Sequence, residues 1–135
     1  MSAEKLQLGI AVKNLEHAVA RAEKLFGAGP FRFLDVPEAG VRAAVADWAG
    51  VELEYIEATS EATRQNHDKL LKDRDAKLTH IGVYVEDKDK TTRHFQQLDA
   101  PVVYEDIGTD ELRTSMVDLR QDAGFLLEIL QPLTK

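Results

Sequence analysis

LTHIGVYV, residues 78–85, reads as a β-strand with a histidine near its start. Side chains on a strand alternate between its faces, so Ile81, Val83 and Val85 share one face and His80, Gly82 and Tyr84 the other. LQLGIAV, residues 6–12, repeats the pattern near the N-terminus. Residue by residue, Gln7-Leu8-Gly9-Ile10-Ala11-Val12 matches His80-Ile81-Gly82-Val83-Tyr84-Val85. An internal repeat constrains the fold more than any isolated motif does.

The match continues outward from these strands. Asn14 is placed to cap a helix over KNLEHAVARAEKLFG, and Gly27 to close it. Leu15, Ala18, Val19, Ala22, Leu25 and Phe26 recur at helical spacing and form its expected buried stripe. FRFLDV, VRAAVADW and VELEYIE then read as β segments separated by turns. In the second half, Asp87 caps EDKDKTTRHFQQLDA, with Thr91, Phe95 and Leu98 inward, and PVVYEDI, LRTSMVDL and FLLEILQ follow. The order is β-α-β-β-β twice. VELEYI aligns with FLLEIL, which matches Glu54 to Glu128. The expected fold is α+β: two tandem βαβββ modules, 5–58 and 77–132, forming one curved mixed sheet around a metal-binding cleft. A polar helical linker, 59–76, capped by Thr59 or Ser60, joins them into a single domain, 1–135.

Composition narrows the chemistry. With 44% hydrophobic and 30% charged residues, the chain has a globular composition. The net charge of −7 argues against nucleic acid or an anionic membrane as partner. Charges interrupt every apolar run before it reaches the length of a membrane span. MSAEKLQLG lacks the basic-then-apolar order of a signal peptide, so a cytoplasmic location is expected. There is no cysteine, which removes disulfides, thiolate zinc sites and cysteine nucleophiles. A metal site would have to use His, Asp, Glu or Gln, ligands suited to Zn, Ni, Co, Mn, Fe or Mg.

The repeat supplies such a set. The uniformly apolar face of each first strand should pack under its helix, as should Phe125, Leu127 and Ile129 of the last strand. The opposite, concave face then carries Gln7 and Glu54 from the first module, and His80 and Glu128 from the second. Two carboxylates beside Leu126 and Leu130 are costly to keep ionised without a partner, and a divalent cation removes that cost. Glu52, one residue pair away, reads as solvent-facing. His17 and His94 read as surface histidines, and His67 as part of the polar linker helix. Trp48 is either a core residue or a dimer anchor.

LGIAVKNLEHAV, VELEYIEATS, LTHIGVYVED and GFLLEILQP, in this order and spacing, resemble the vicinal oxygen chelate superfamily of glyoxalases, bleomycin-resistance proteins and extradiol dioxygenases. The resemblance covers 5–132 and looks closest to methylmalonyl-CoA epimerase-type members. It implies a divalent metal held by Gln7, Glu54, His80 and Glu128, with Gln7 standing where the epimerases usually have His. The Gln, Glu, His, Glu set is similar to that of some glyoxalase I enzymes. The implied reaction is proton abstraction α to a carbonyl through a metal-stabilised enolate, on a small acyl-CoA or oxo-acid-like substrate. Glu128 is the expected base, and Glu54 a second carboxylate for the opposite face. The alternatives are a glyoxalase I-type lyase acting on a hemithioacetal and a non-catalytic small-molecule binding or resistance protein. A third strand aligned with the epimerases has Ala43 where they carry a catalytic Glu, which favours one-base chemistry. Arg42, Arg113 and Tyr84 are the expected substrate contacts, and a homodimer is the expected assembly.

Overall fold

Periodicity in the sequence becomes regular structure close to the expected boundaries. A computed structural model describes residues 5–133. The elements run β1 (Leu6–Val12), α1 (Leu15–Phe26), β2 (Arg32–Val36), a 3-10 turn (Pro37–Ala39), β3 (Val41–Trp48), β4 (Val51–Ala58), α2 (Glu61–Leu71), β5 (Ala76–Tyr84), α3 (Lys88–Gln97), β6 (Val102–Gly108), β7 (Leu112–Leu119) and β8 (Phe125–Pro132). The β-α-β-β-β order occurs twice. Each helix starts at a side-chain cap: Asn14 accepts from His17 N–H, Ser60 from Thr63 N–H, and Asp87 from Lys90 N–H. Gly27 ends α1 in the left-handed conformation, at φ 68°. Among the described residues, no helix is long and apolar enough to cross a membrane.

The chain divides into two compact units, Gln7–Thr79 and residues 80–133 with 5–6, so the division falls inside β5. In the first unit the strands lie in the order β2-β3-β4-β1, with β1 parallel to β4 and the other pairs antiparallel. Leu53, Tyr55 and Val12 pack with Leu15, Val19 and Ala22 of α1, and Leu8, Ile10 and Val51 border that core. The second unit repeats the plan as β5-β8-β7-β6, with β5 parallel to β8. Its core holds Val83, Val85, Val117, Leu127 and Ile129, flanked by Phe95 of α3 and Phe125. Both units are therefore α+β with a mixed sheet, and in each the expected apolar face meets the helix.

Helix ends depart from the expected stripes. Leu25 is 64% exposed and Phe26 39%, because the last turn of α1 projects past the apolar cluster. Phe26 instead meets Trp48, with ring centroids 4.8 Å apart, and its carbonyl accepts the Trp48 indole N–H at 3.1 Å. Leu98, at the C-cap of α3, is 65% exposed. On α3 the deeply buried threonine is Thr92, not Thr91, and its hydroxyl donates to the Lys88 carbonyl at 2.7 Å.

Gly40 anchors the start of α2. It follows the 3-10 turn at φ 68°, and its carbonyl accepts Thr59 N–H at 2.7 Å and Thr63 Oγ1–H at 2.6 Å. Ser60 and Thr63 complete a capping box over the same carbonyl.

The second unit buries a charge where the first buries hydrocarbon. Leu15 and Ala44 belong to the apolar core of the first unit. Their repeat counterparts are Lys88 and Ser115, and both are buried. Lys88 Nζ donates to Ser115 Oγ at 3.2 Å and pairs with Asp89 at 2.6 Å and Asp106 at 2.9 Å. Burial pulls the Lys88 ammonium down, but the hydrogen bonds to Asp89 and Asp106 outweigh it and hold it above its ordinary value. Asp106 is held below the usual carboxylate value, first by Lys88 and then by Arg113. Asp89 and Asp106 are about half or more exposed, so both stay hydrated without Lys88, and exchanging the buried ammonium for packed hydrocarbon leaves no buried charge unpaired. The double substitution Lys88→Leu with Ser115→Ala, which copies the first unit, is therefore expected to keep or raise Tm. A depressed carboxylate contributes stability above its ordinary value and loses it as pH falls through its folded value. The gain of the double variant over the wild type should then be larger at pH 3 than at pH 7. Thermal melts across that range check both expectations.

Candidate metal centre

In the first unit, Gln7 and Glu54 lie on the sheet face away from α1. β1 and β4 run parallel, with Gln7 beside Glu52 and Gly9 beside Glu54. Gln7 is 2% exposed. Its Nε2 donates to Glu52 Oε1 at 2.7 Å, while its Oε1 is buried with no hydrogen-bond partner among the described residues. A carboxylate only accepts, so this bond fixes which end of the amide is nitrogen. Glu54 is half-buried. On β3 the positions paired with Ile56 and Glu54 are Ala43 and Val45, so β3 adds no carboxylate at that level.

Glu52 departs from the expectation of a solvent-facing side chain. It is partly buried and accepts the Gln7 amide. Alternation placed it on the correct face but carried no information about its partner.

The second unit places His80 and Glu128 on the corresponding face. His80 pairs with Leu126 in the parallel β5–β8 register, and Gly82 pairs with Glu128, just as Gly9 pairs with Glu54. In both units a glycine thus sits beside the glutamate and adds no side chain next to it. His80 is 6% exposed. Its Nε2 lies 3.6 Å from Glu128 Oε1. The other carboxylate oxygen, Oε2, accepts the Tyr104 hydroxyl at 2.7 Å. Tyr104 was not among the expected site residues. It comes from edge strand β6, whose pairing with β7 shifts register on both sides of it, so strand alternation could not aim it.

Arg42 on β3 pairs with Glu16 and lies 3.5 Å from Glu57. Its hydrogen bond to Glu16 raises the guanidinium above its ordinary value. Arg42 also borders a cavity of about 420 Å³ lined with Glu16, Phe33, Leu34 and Asp35. Arg113 is the β7 counterpart of Arg42 and pairs with Asp106. Tyr84 is half-buried on β5. His17 and His94 are exposed, as expected. His67 is half-buried on α2, and burial pushes its imidazole below the ordinary value against the opposing pull of Asp68.

Each unit holds donors of a type that suits a divalent cation. In the first, a buried amide oxygen without a donor is an acceptor that a cation satisfies, and Glu54 offers carboxylate oxygens. In the second, the His80 imidazole and the Glu128 carboxylate offer a nitrogen and oxygens.

Residues 6–133 match the Glyoxalase/Bleomycin resistance protein/Dioxygenase superfamily. No curated protein matches the sequence. The chain is similar in structure to methylmalonyl-CoA epimerase from Mycobacterium tuberculosis, with a TM-score of 0.82 and 21% identity over 98% of this chain and 90% of that one. A variant Streptomyces coelicolor methylmalonyl-CoA epimerase, in complex with 2-nitronate-propionyl-CoA, gives 0.81 and 23% over 98% and 100%. A hypothetical protein from Bacillus halodurans C-125 gives 0.84 and 18% over 100% and 98%. At these identities the likeness shows the fold.

Proposed function

Because the chain belongs to the Glyoxalase/Bleomycin resistance protein/Dioxygenase superfamily, we propose that it is a divalent-metal-dependent epimerase or isomerase acting on a small acyl-CoA or oxo-acid-like substrate. In this reading the two modules act as one domain, and Gln7, Glu54, His80 and Glu128 together hold the cation. The observation that carries it is the buried Gln7 Oε1, left without a donor while its amide nitrogen is tied to Glu52. Gln7, Glu54, His80 and Glu128 would hold the cation, which when bound would offset the negative charge developing on the substrate carbonyl oxygen.

The residues of the chain supply the proton transfer. Glu128 takes the proton from the carbon α to the carbonyl, and the C–H electron pair moves toward the carbonyl oxygen. Tyr104 holds Oε2 of that carboxylate and thereby aims Oε1. Proton return from Glu128 to a neighbouring atom gives isomerisation, whereas delivery of a different proton to the opposite face from Glu54, protonated at the start and ionised at the end, gives epimerisation. Arg42 and Arg113 are the contacts for an anionic group of the substrate. Each is partly exposed and tied to a carboxylate that such a group can displace. Tyr84 is the third contact assigned to the substrate in this reading.

One observation favours a second reading. Ala43 and Val45 leave β3 without a carboxylate at the level of Glu54. One-base chemistry, including a glyoxalase I-type reaction on a hemithioacetal, fits that face better than a dedicated two-base epimerase does.

The test is metal content, thermal stability and solvent deuterium uptake. Purified protein is expected to carry one divalent metal per chain. Adding Zn, Ni, Co or Mn at about 100 times Kd should stabilise the metal-free form by ~2.7 kcal/mol, a rise of roughly 10 °C for a domain of this size. Deuterium should enter one member of a panel of acyl-CoA, 2-oxo acid and hemithioacetal substrates. No bound metal, no rise in Tm and no exchange would leave a non-catalytic binding protein as the better account.

A further inference from the structure

The two parallel strand pairs solve one problem with different chemistry. In the second unit His80 faces Leu126, and in the first Gln7 faces Glu52. An imidazole beside a leucine needs nothing from that neighbour. A primary amide can present either its oxygen or its nitrogen, and burial makes the wrong choice costly. The Glu52 carboxylate accepts Gln7 Nε2–H at 2.7 Å, which forces Gln7 Oε1 to the other side. A negative charge on the N–H also polarises the amide and concentrates charge on its oxygen. Leucine at 52, the residue type found at 126, would provide neither effect.

We propose that Glu52 is a positioning residue, which locks the Gln7 amide with its oxygen outward and strengthens that oxygen as a ligand for a hard divalent cation. Gln7–Glu52 is then a unit equivalent to His80–Leu126, and neither member of the unit can be changed alone. The proposal rests on the metal reading above. It also makes a claim about the metal-free protein, in which the Gln7–Glu52 hydrogen bond is expected to form as well.

The test uses the full chain with Glu52→Leu, Glu52→Gln, Gln7→His and the double variant Gln7→His with Glu52→Leu. NMR of the metal-free wild type should show one Gln7 side-chain amide proton shifted downfield and slow to exchange. Glu52→Leu should abolish both properties. Mn2+ affinity, read by electron paramagnetic resonance, should fall about 10- to 100-fold in Glu52→Leu, the usual loss when the group orienting a ligand is removed. Glu52→Gln, which accepts without a full charge, should fall between. It also carries the same two readouts if the leucine variant does not fold. The double variant, which copies the second unit, should recover affinity to within a few-fold of wild type, whereas Gln7→His alone should not. Unchanged amide signals or unchanged Mn2+ affinity on substitution of Glu52 would overturn the proposal while leaving the metal reading intact. Failure of the wild type to bind Mn2+ would overturn the metal reading and this proposal with it.

Discussion

Replacing Glu128 with Gln is expected to lower solvent proton exchange into substrate by about 10²- to 10⁴-fold, the range that a positioned general base contributes. The amide keeps the shape of the carboxylate and an oxygen that accepts the Tyr104 hydroxyl, now 2.7 Å from Oε2, so the side chain should stay in place. What it loses is the ability to take a proton. The fold should survive, since Glu128 lies outside the apolar cluster of the second unit, which Leu127 and Ile129 of the same strand join. Deuterium uptake monitored by mass spectrometry, with Tm measured alongside, checks this. Full exchange in a folded Glu128→Gln variant would remove Glu128 as the base and shift attention to Glu54.

A second large effect is expected on stability. Gly40 sits at φ 68°, where a residue with a Cβ is strained by roughly 1–2 kcal/mol. A Cβ there would also lie 2.5 Å from Ser60 Oγ and 2.9 Å from Thr63 Cγ2. Those two residues form the cap of α2, so relieving the clash breaks the capping box, at a further cost of about 1 kcal/mol. Gly40→Ala should therefore lose about 3 kcal/mol, or roughly 10 °C in Tm. Gly50 also has a positive φ but meets nothing within 4 Å, so Gly50→Ala isolates the conformational cost and should lose much less. Equal losses in the two variants would contradict a role for the α2 cap.

Local rules carried much of this structure. Asn14, Ser60 and Asp87 announce helix starts because their short oxygens reach the first backbone N–H groups, and all three do so. Alternation assigned the faces of β1, β4, β5 and β8, because each of these strands has a helix under one face. It failed where no such constraint acts. β2 is exposed along nearly its whole length, and β6 slips register twice, so Tyr104 and its contact with Glu128 were not legible. The burial of Lys88 was not legible for a different reason. A lysine after an N-cap looks like surface, and only the opposing Ser115, Asp89 and Asp106 make its burial tolerable. Glu52 follows the same logic: residue type suggested solvent, whereas an amide across the strand pair supplies its partner.

A chain that carries two copies of one plan runs a risk that a single copy does not. The two helices are alike in length and in their side-chain caps, so while the chain folds each could meet either sheet. The ammonium of Lys88 works against that confusion. Docked on the sheet of the first unit, α3 would set Lys88 against Ala44, a methyl group, instead of Ser115, and would leave Asp106 behind. There the ammonium keeps Asp89, its neighbour on α3, but loses Ser115 and Asp106, and a buried charge that loses partners is costly. The polar plug under α3 thus acts as an address, marking which helix belongs to which sheet.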